Sequence, residues 1–301
     1  MKLARENLTG QPCHYTAKSL ETALGQLPVT RGNVLFLHSN IGFFGRAEGV
    51  TTSDALCELF FDALKNWVGD AGTIVVPTFT YSYPRRQVFS PETTASEMGI
   101  FAEWIRLHPN AKRSRDPSYS VAAIGEKAEM LTTEIPENSF GRNSFFDRFL
   151  AVNGAILNLN LDAGSTFLHF LEREMNVPYR FDKIFNGLMV SDNNQTKKTK
   201  NTIYVRYLHE ATLPNFENFH KLAIIEKKLY KVNLGRGVIN LIAARDCQAI
   251  LNTYYKKDPW LLTRASGNKI LQDSYETSFI NLLENEKKCI NMIQVNKLKI
   301  L

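Results

Sequence analysis

The segment Gly164 to Glu174, GSTFLHFLERE, sets an imidazole and a carboxylate at a spacing suited to proton transfer. If Ser165 caps a helix here, His169 and Glu172 lie at i and i+3 on one face. Histidine accepts a proton near neutral pH, and a carboxylate within reach orients the ring and stabilises its cation, so the pair fits a general base. The same residues also fit a core histidine packed among Phe167, Leu168 and Phe170, with Glu172 and Glu174 solvated or paired with Arg173. Local spacing leaves both readings open.

Two further segments offer groups for a ligand. His38 to Gly45, HSNIGFFG, follows an apolar run and supplies a hydroxyl, a carboxamide and flexible glycines. Its backbone N–H groups can hold phosphate, the amides of a pantetheine arm or a thioester carbonyl. An ordinary strand-to-helix loop with a serine turn would look the same. Pro77 to Tyr81, PTFTY, ends the next apolar run and brings Thr78, Phe79 and Thr80 beside the first loop if the two strands are neighbours, although packing explains Phe79 equally well. His38 either meets a ligand or closes its strand. His14, His108, His209 and His220 sit near the start, before Pro109 and in the irregular second part, and are weaker candidates.

These groups must be carried by elements that alternate. Asn33 to His38, Thr73 to Pro77, Tyr119 to Ala123 and Ala155 to Leu159 read as buried strands. Between them lie helical patterns: Thr16 to Leu27, a helix capped by Thr52 or Ser53 and running through Trp67, one from Ser96 to Arg106, one opened by Ser144, and one from Thr166 to about Asn176. The alternation predicts an α/β layered domain with ligand loops at the strand ends. Beyond Pro178, Arg180 to Val190 and Thr202 to Leu208 read as a hairpin with a mobile tip, SDNNQTKKTKN. Residues 1–177 are expected to form the catalytic core, and residues 178–301 a smaller C-terminal lobe that completes the same domain and the acceptor site.

Composition removes several function classes. With 301 residues, 44% hydrophobic and 22% charged, the chain is globular by composition. Its longest apolar stretches are too short for a bilayer, and its first residues lack an apolar secretory core, so a cytoplasmic protein is expected. The net charge of +6 invites a nucleic-acid reading, but the lysine runs at 197–200, 227–231, 256–257 and 287–299 lack interleaved aromatics and read as solvated faces. Cys13, Cys57, Cys247 and Cys289 are scattered, which predicts reduced thiols and no metal. No G-x-G-x-x-G, P-loop, G-x-S-x-G or H-E-x-x-H pattern occurs. Acyl transfer by direct attack needs only a donor site, a base and an oxyanion site, and has weak linear motifs.

Taken together, the segments resemble the aminoglycoside 3-N-acetyltransferase family. The similarity runs from about Ser19 to Arg180, with traces to Leu262. VLFLHSNIGFFG, GDAGTIVVPTFTY, SYSVAAIG, GRNSFFDRF, ILNLNLDAGSTFLHFLE and VPYR follow one another in the family's order. The resemblance implies a layered α/β/α enzyme on a mixed central sheet, using acetyl-CoA or a longer acyl-CoA such as a hydroxyacyl-CoA, without metal. It implies that His169 is the base and Glu172 its partner. It places the donor against His38, Ser39, Asn40, Thr78, Phe79 and Thr80, and the matching segments add Ser120 and Ser144 to the donor contacts. Asn40, Asp116, Tyr119 and Phe145 depart from the family's pattern and put the acceptor's identity in question.

The expected step is attack of an amine, deprotonated by His169, on the thioester carbonyl, with backbone amides near Ser39 and Asn40 as the oxyanion site. Aminoglycosides are polycations, whereas this chain carries 36 basic against 30 acidic residues. That balance favours an amino sugar on an anionic carrier, such as a nucleotide-linked amino-deoxy sugar for surface polysaccharide, over an aminoglycoside. A non-catalytic binding protein on the same fold is the alternative outside enzymes. No nucleic-acid or membrane partner is expected, and a homodimer is admitted.

Overall fold

The computed structural model describes residues 13–191 and 193–281. Its elements run in the order α1 (Ala17–Gly25), β1 (Val34–Ser39), α2 (Ser53–Val68), β2 (Thr73–Pro77), β3 (Val88–Phe89), α3 (Ile100–Leu107), β4 (Lys112–Arg113), β5 (Val121–Gly125), α4 (Ala128–Thr132), α5 (Phe145–Ala151), β6 (Ala155–Leu159), α6 (Phe167–Glu174), β7 (Arg180–Val190), β8 (Thr196–Arg206), α7 (Glu217–Ile225), β9 (Tyr230–Leu234), β10 (Gly237–Ala243) and α8 (Ala244–Tyr254). A seven-stranded sheet has the order β4-β5-β2-β1-β6-β10-β9, and a three-stranded sheet the order β3-β7-β8.

The centre of the large sheet is parallel, with β1 between β2 and β6. Its flanks are antiparallel, through β5 on one side and β10 on the other. Residues of β1 alternate between the two faces: Val34 and Phe36 enter one hydrophobic core, Leu35 and Leu37 the other. Both faces are therefore covered, the layered α/β/α arrangement with a mixed sheet. Because β9 and β10 lie beyond residue 178, the second part of the chain closes one edge of the central sheet.

Local chemistry explains most element boundaries. Thr16 and Ser19 form a reciprocal capping box on α1, and Thr52 accepts from the Ala55 amide to open α2. Ser144 caps α5 by accepting from the Asp147 amide. Two expectations need correction. Ser96 does not cap α3, which starts after Gly99 at φ 92°; the Ser96 hydroxyl instead accepts from the Met98 amide. The hairpin is longer than expected, since Lys197 to Lys200 pair with Asn186 to Met189 instead of forming a mobile tip. Lysines suit such a strand, because β8 is the sheet's edge and charge discourages further pairing.

Candidate active site

Parallel pairing brings the ends of β1, β2 and β6 together at one side of the sheet, so the loops carrying Ser39, Thr78 and Ser165 meet there. The loop after β6 is tied down from below. Asn158 donates to the carbonyls of Asp162 and Gly164, and Asn240, its neighbour across β10, donates to the Leu161 carbonyl. This fixes Ser165, whose hydroxyl accepts from the Phe167 amide at the start of α6 and meets His38 Nε2 at 2.7 Å. The first loop and the helix of His169 are thereby joined.

The two readings of His169 separate once its neighbours are known. Glu172 is 2% exposed. Its Oε2 lies 2.5 Å from His169 Nδ1 and 2.8 Å from Arg180 Nε, while its Oε1 accepts from the Tyr179 hydroxyl at 2.7 Å. Burial pushes the Glu172 carboxyl up, but Arg180, His169 and Tyr179 outweigh it and hold the group below its ordinary value. An ionised Glu172 requires Nδ1 to carry the proton, which leaves Nε2 unprotonated and able to act as a base. His169 itself is held below its ordinary value, first by burial and then by Arg180, against the pull of Glu172.

The other histidines are used differently. His14, His108, His209 and His220 each accept a backbone N–H through Nδ1, from Arg46, Asn110, Ala211 and Ala163. Among the described residues, His38 and His169 are the two whose ring nitrogens hydrogen-bond to side chains, Ser165 for one and Glu172 with Arg180 for the other. Burial lowers His38 to about 4, so it stays neutral at physiological pH.

The expected donor contacts divide in two. Ser39 and Asn40, with Ile41 to Phe43 and Gly99 to Phe101, border a cleft of about 480 Å³. Phe43 and Ile100 at its rim are 66% and 52% exposed, apolar surface that a pantetheine arm could cover. The adjoining cleft, about 530 Å³, lies between α2 and α3 and shares Gly99 and Ile100. By contrast, Thr78, Phe79, Thr80, Ser120 and Ser144 are buried. Thr78 and Ser120 bond to each other and to Arg113, Thr80 donates to the Pro117 carbonyl, and Ser144 is the cap of α5. Among the oxyanion candidates, the Asn40 amide is already committed to the Leu159 carbonyl.

Asp116 and Tyr119, two of the departures, shape the same region. Asp116 is buried and accepts from the amides of Ser118 and Tyr119, and burial raises its carboxyl above the ordinary value. Tyr119 packs edge-on against Phe79 and Tyr81. Tyr81 adopts φ 50°, a left-handed conformation costly for a bulky residue, at the turn that ends PTFTY. Tyr179 and Arg180 were legible only as part of VPYR, where no local spacing ties them to Glu172, seven and eight residues earlier.

Cys57 and Cys247 are buried, and burial raises both thiols, Cys57 to about 11. Neither suits an acyl-enzyme. Cys13 is exposed, and Cys289 lies outside the described residues. Among the described residues no group of three or more His, Cys, Asp or Glu converges as a metal site, and no helix is long and apolar enough to cross a membrane.

The family model described as aminoglycoside 3-N-acetyltransferase matches residues 36–256. The chain is 28% identical over 185 residues to aminoglycoside N(3)-acetyltransferase III of Acinetobacter baumannii, covering 54% of this chain and 62% of that protein. It is 30% identical over 158 residues to aminoglycoside N(3)-acetyltransferase IV of a Salmonella species, covering 51% and 57%. The chain thus spans about three fifths of the length of these curated relatives. Among solved structures, aminoglycoside acetyltransferase AAC(3)-Xa superposes with a TM-score of 0.69 at 20% identity, covering 83% of this chain and 94% of that one. AAC-IIIb in binary complex with CoASH gives 0.67 at 19% identity, covering 83% and 98%. The nucleotide-linked sugar expected from net charge finds no support in these relatives, whose names are those of aminoglycoside acetyltransferases. The chain belongs to the aminoglycoside 3-N-acetyltransferase family.

Proposed function

We propose that this chain is an acyl-CoA-dependent N-acyltransferase that acylates an amine of an aminoglycoside-type amino sugar. The observation that carries the reading is the part-buried His169–Glu172 pair on a helix tied through Ser165 and His38 to the loop that borders the cleft of about 480 Å³. The donor supplies an activated acyl thioester. Ser39 to Phe43 and Ile100 would seat its pantetheine arm. His169 Nε2 takes the proton of the acceptor amine as the C–N bond forms, and Glu172 stabilises the resulting imidazolium. His169 then returns the proton to the departing thiolate as the C–S bond breaks.

A second reading, an amine on an anionic carrier, draws on one observation. Arg206 stands opposite Arg180 across the hairpin and bonds only to the oxygens of Tyr207, His209 and Thr212, with no carboxylate partner among the described residues. Like charges placed so are unfavourable and would suit an anionic substituent. The test is thiol release from acetyl- and 3-hydroxybutyryl-CoA with a panel of aminoglycosides and nucleotide-linked amino sugars. Turnover with aminoglycosides alone upholds the first reading, and turnover with nucleotide sugars alone replaces it with the second. Thiol release with neither class, despite CoA binding, contradicts both.

A further inference from the structure

A carboxylate beside an imidazole normally favours the charged ring, which is the wrong resting state for a base. Here the carboxylate is shared. Arg180 reaches Glu172 Oε2 with Nε at 2.8 Å, and its Nη2 lies 3.4 Å from His169 Nε2. One guanidinium therefore touches the partner carboxylate and the ring nitrogen that must take the substrate's proton. Its side chain is 6% exposed, so water screens these contacts little.

We propose that Arg180 is a positioning residue that keeps His169 in its neutral Nδ1–H form, with no proton on Nε2. This rests on the reading of His169 as the base and deepens it. A guanidinium offers donors only and stays charged. A proton on Nε2 would set N–H against N–H, and a charged ring would set cation against cation. The Glu172 and Arg180 charges cancel while the ring is neutral.

The groups that face this cluster are consistent with that role. Tyr179 donates to Glu172 from the residue before β7, and Tyr204 and Arg206 approach from β8. Tyr255 approaches Glu172 from the end of α8, Tyr119 approaches Arg180, and the Phe216 ring lies 5.8 Å from the imidazole. Among these, Glu172 is the carboxylate that contacts the ring, and Arg180 the cation that contacts it. The Asp182 carboxylate is engaged by Arg173.

The test is a nitrogen-15 NMR titration of the His169 ring in the full chain without substrate. It compares wild type with Arg180→Met, Arg180→Gln and Arg180→Lys, each checked for folding by circular dichroism. Wild type should stay neutral and protonated on Nδ1 to below the ordinary histidine value of 6.5. The Met and Gln variants should raise the midpoint by roughly one unit or more, and Lys should restore most of the shift. The acid limb of kcat/KM should move up by the same amount, with activity recovering at higher pH. An unmoved midpoint in folded Met or Gln variants, or a Lys variant that titrates like Met, overturns the proposal. If Met does not fold, the Gln and Lys pair decides. The titration needs no acceptor, so it judges Arg180 even if the proposed substrate class is wrong.

Discussion

Two part-buried arginines in this molecule keep very different company. Arg113 donates to the hydroxyls of Thr78 and Ser120 and to the carbonyls of Pro91, Thr94 and Thr78. Every branch of its guanidinium is engaged, and its partners are neutral. Burial, with repulsion from Arg106, lowers it to about 10. Arg180 instead faces a carboxylate and an imidazole, and its Nε, though 2.8 Å from Glu172, is not aligned to form a hydrogen bond. The first cluster holds the ends of β2 and β5 together. The second holds groups that can exchange a proton. Saturation of hydrogen bonds marks scaffold, and shared, imperfectly aligned charge marks chemistry.

The contrast can be broken by substitution. Glu172→Gln keeps the shape but removes the charge that fixes the tautomer, and kcat should fall by roughly 10²-fold or more with little change in donor KM. Steady-state thiol release checks this, and a change confined to KM would place Glu172 in binding instead. Arg113→Met should act in the opposite sense. It removes the donor to the Pro91 and Thr94 carbonyls and should cost roughly 2–3 kcal/mol in urea unfolding. The folded fraction should keep its turnover.

Acid sensitivity sharpens the comparison further. His38 titrates near 4 when folded and near 6.5 when unfolded, so the unfolded chain binds the extra proton first. Stability is full above pH 6.5 and falls as pH drops toward 4, by roughly 3 kcal/mol from this residue. Thermal melts between those pH values should show the decline, and His38→Asn should flatten it. The smallest effect is expected at the α5 cap. Ser144→Ala should lower stability by about 1 kcal/mol and leave CoA affinity unchanged in calorimetry, since its hydroxyl caps the helix from a fully buried position.

Periodicity and capping residues made the central layers legible from sequence. Ala155 to Leu159 and Thr73 to Pro77 are strands at the expected residues, and Thr16 and Ser144 are caps. The pairing of His169 with Glu172 was readable because both lie on one short helix. What could not be read was long-range company. Whether a hydroxyl at a strand end faces a cleft or an arginine depends on chains far away in sequence, and Thr78 and Ser120 face Arg113. Arg180 reaches His169 only because β7 begins beside α6. The lysine run entered β8 because an edge strand tolerates charges that composition alone assigns to a loop.

The central claim, that His169 is the base, is tested most directly by imidazole rescue of His169→Ala in the thiol-release assay. The account predicts a loss of kcat of about 10²-fold or more, with unchanged folding and a saturable recovery as imidazole is added at a pH where it is neutral. A folded His169→Ala variant with wild-type kcat would contradict it.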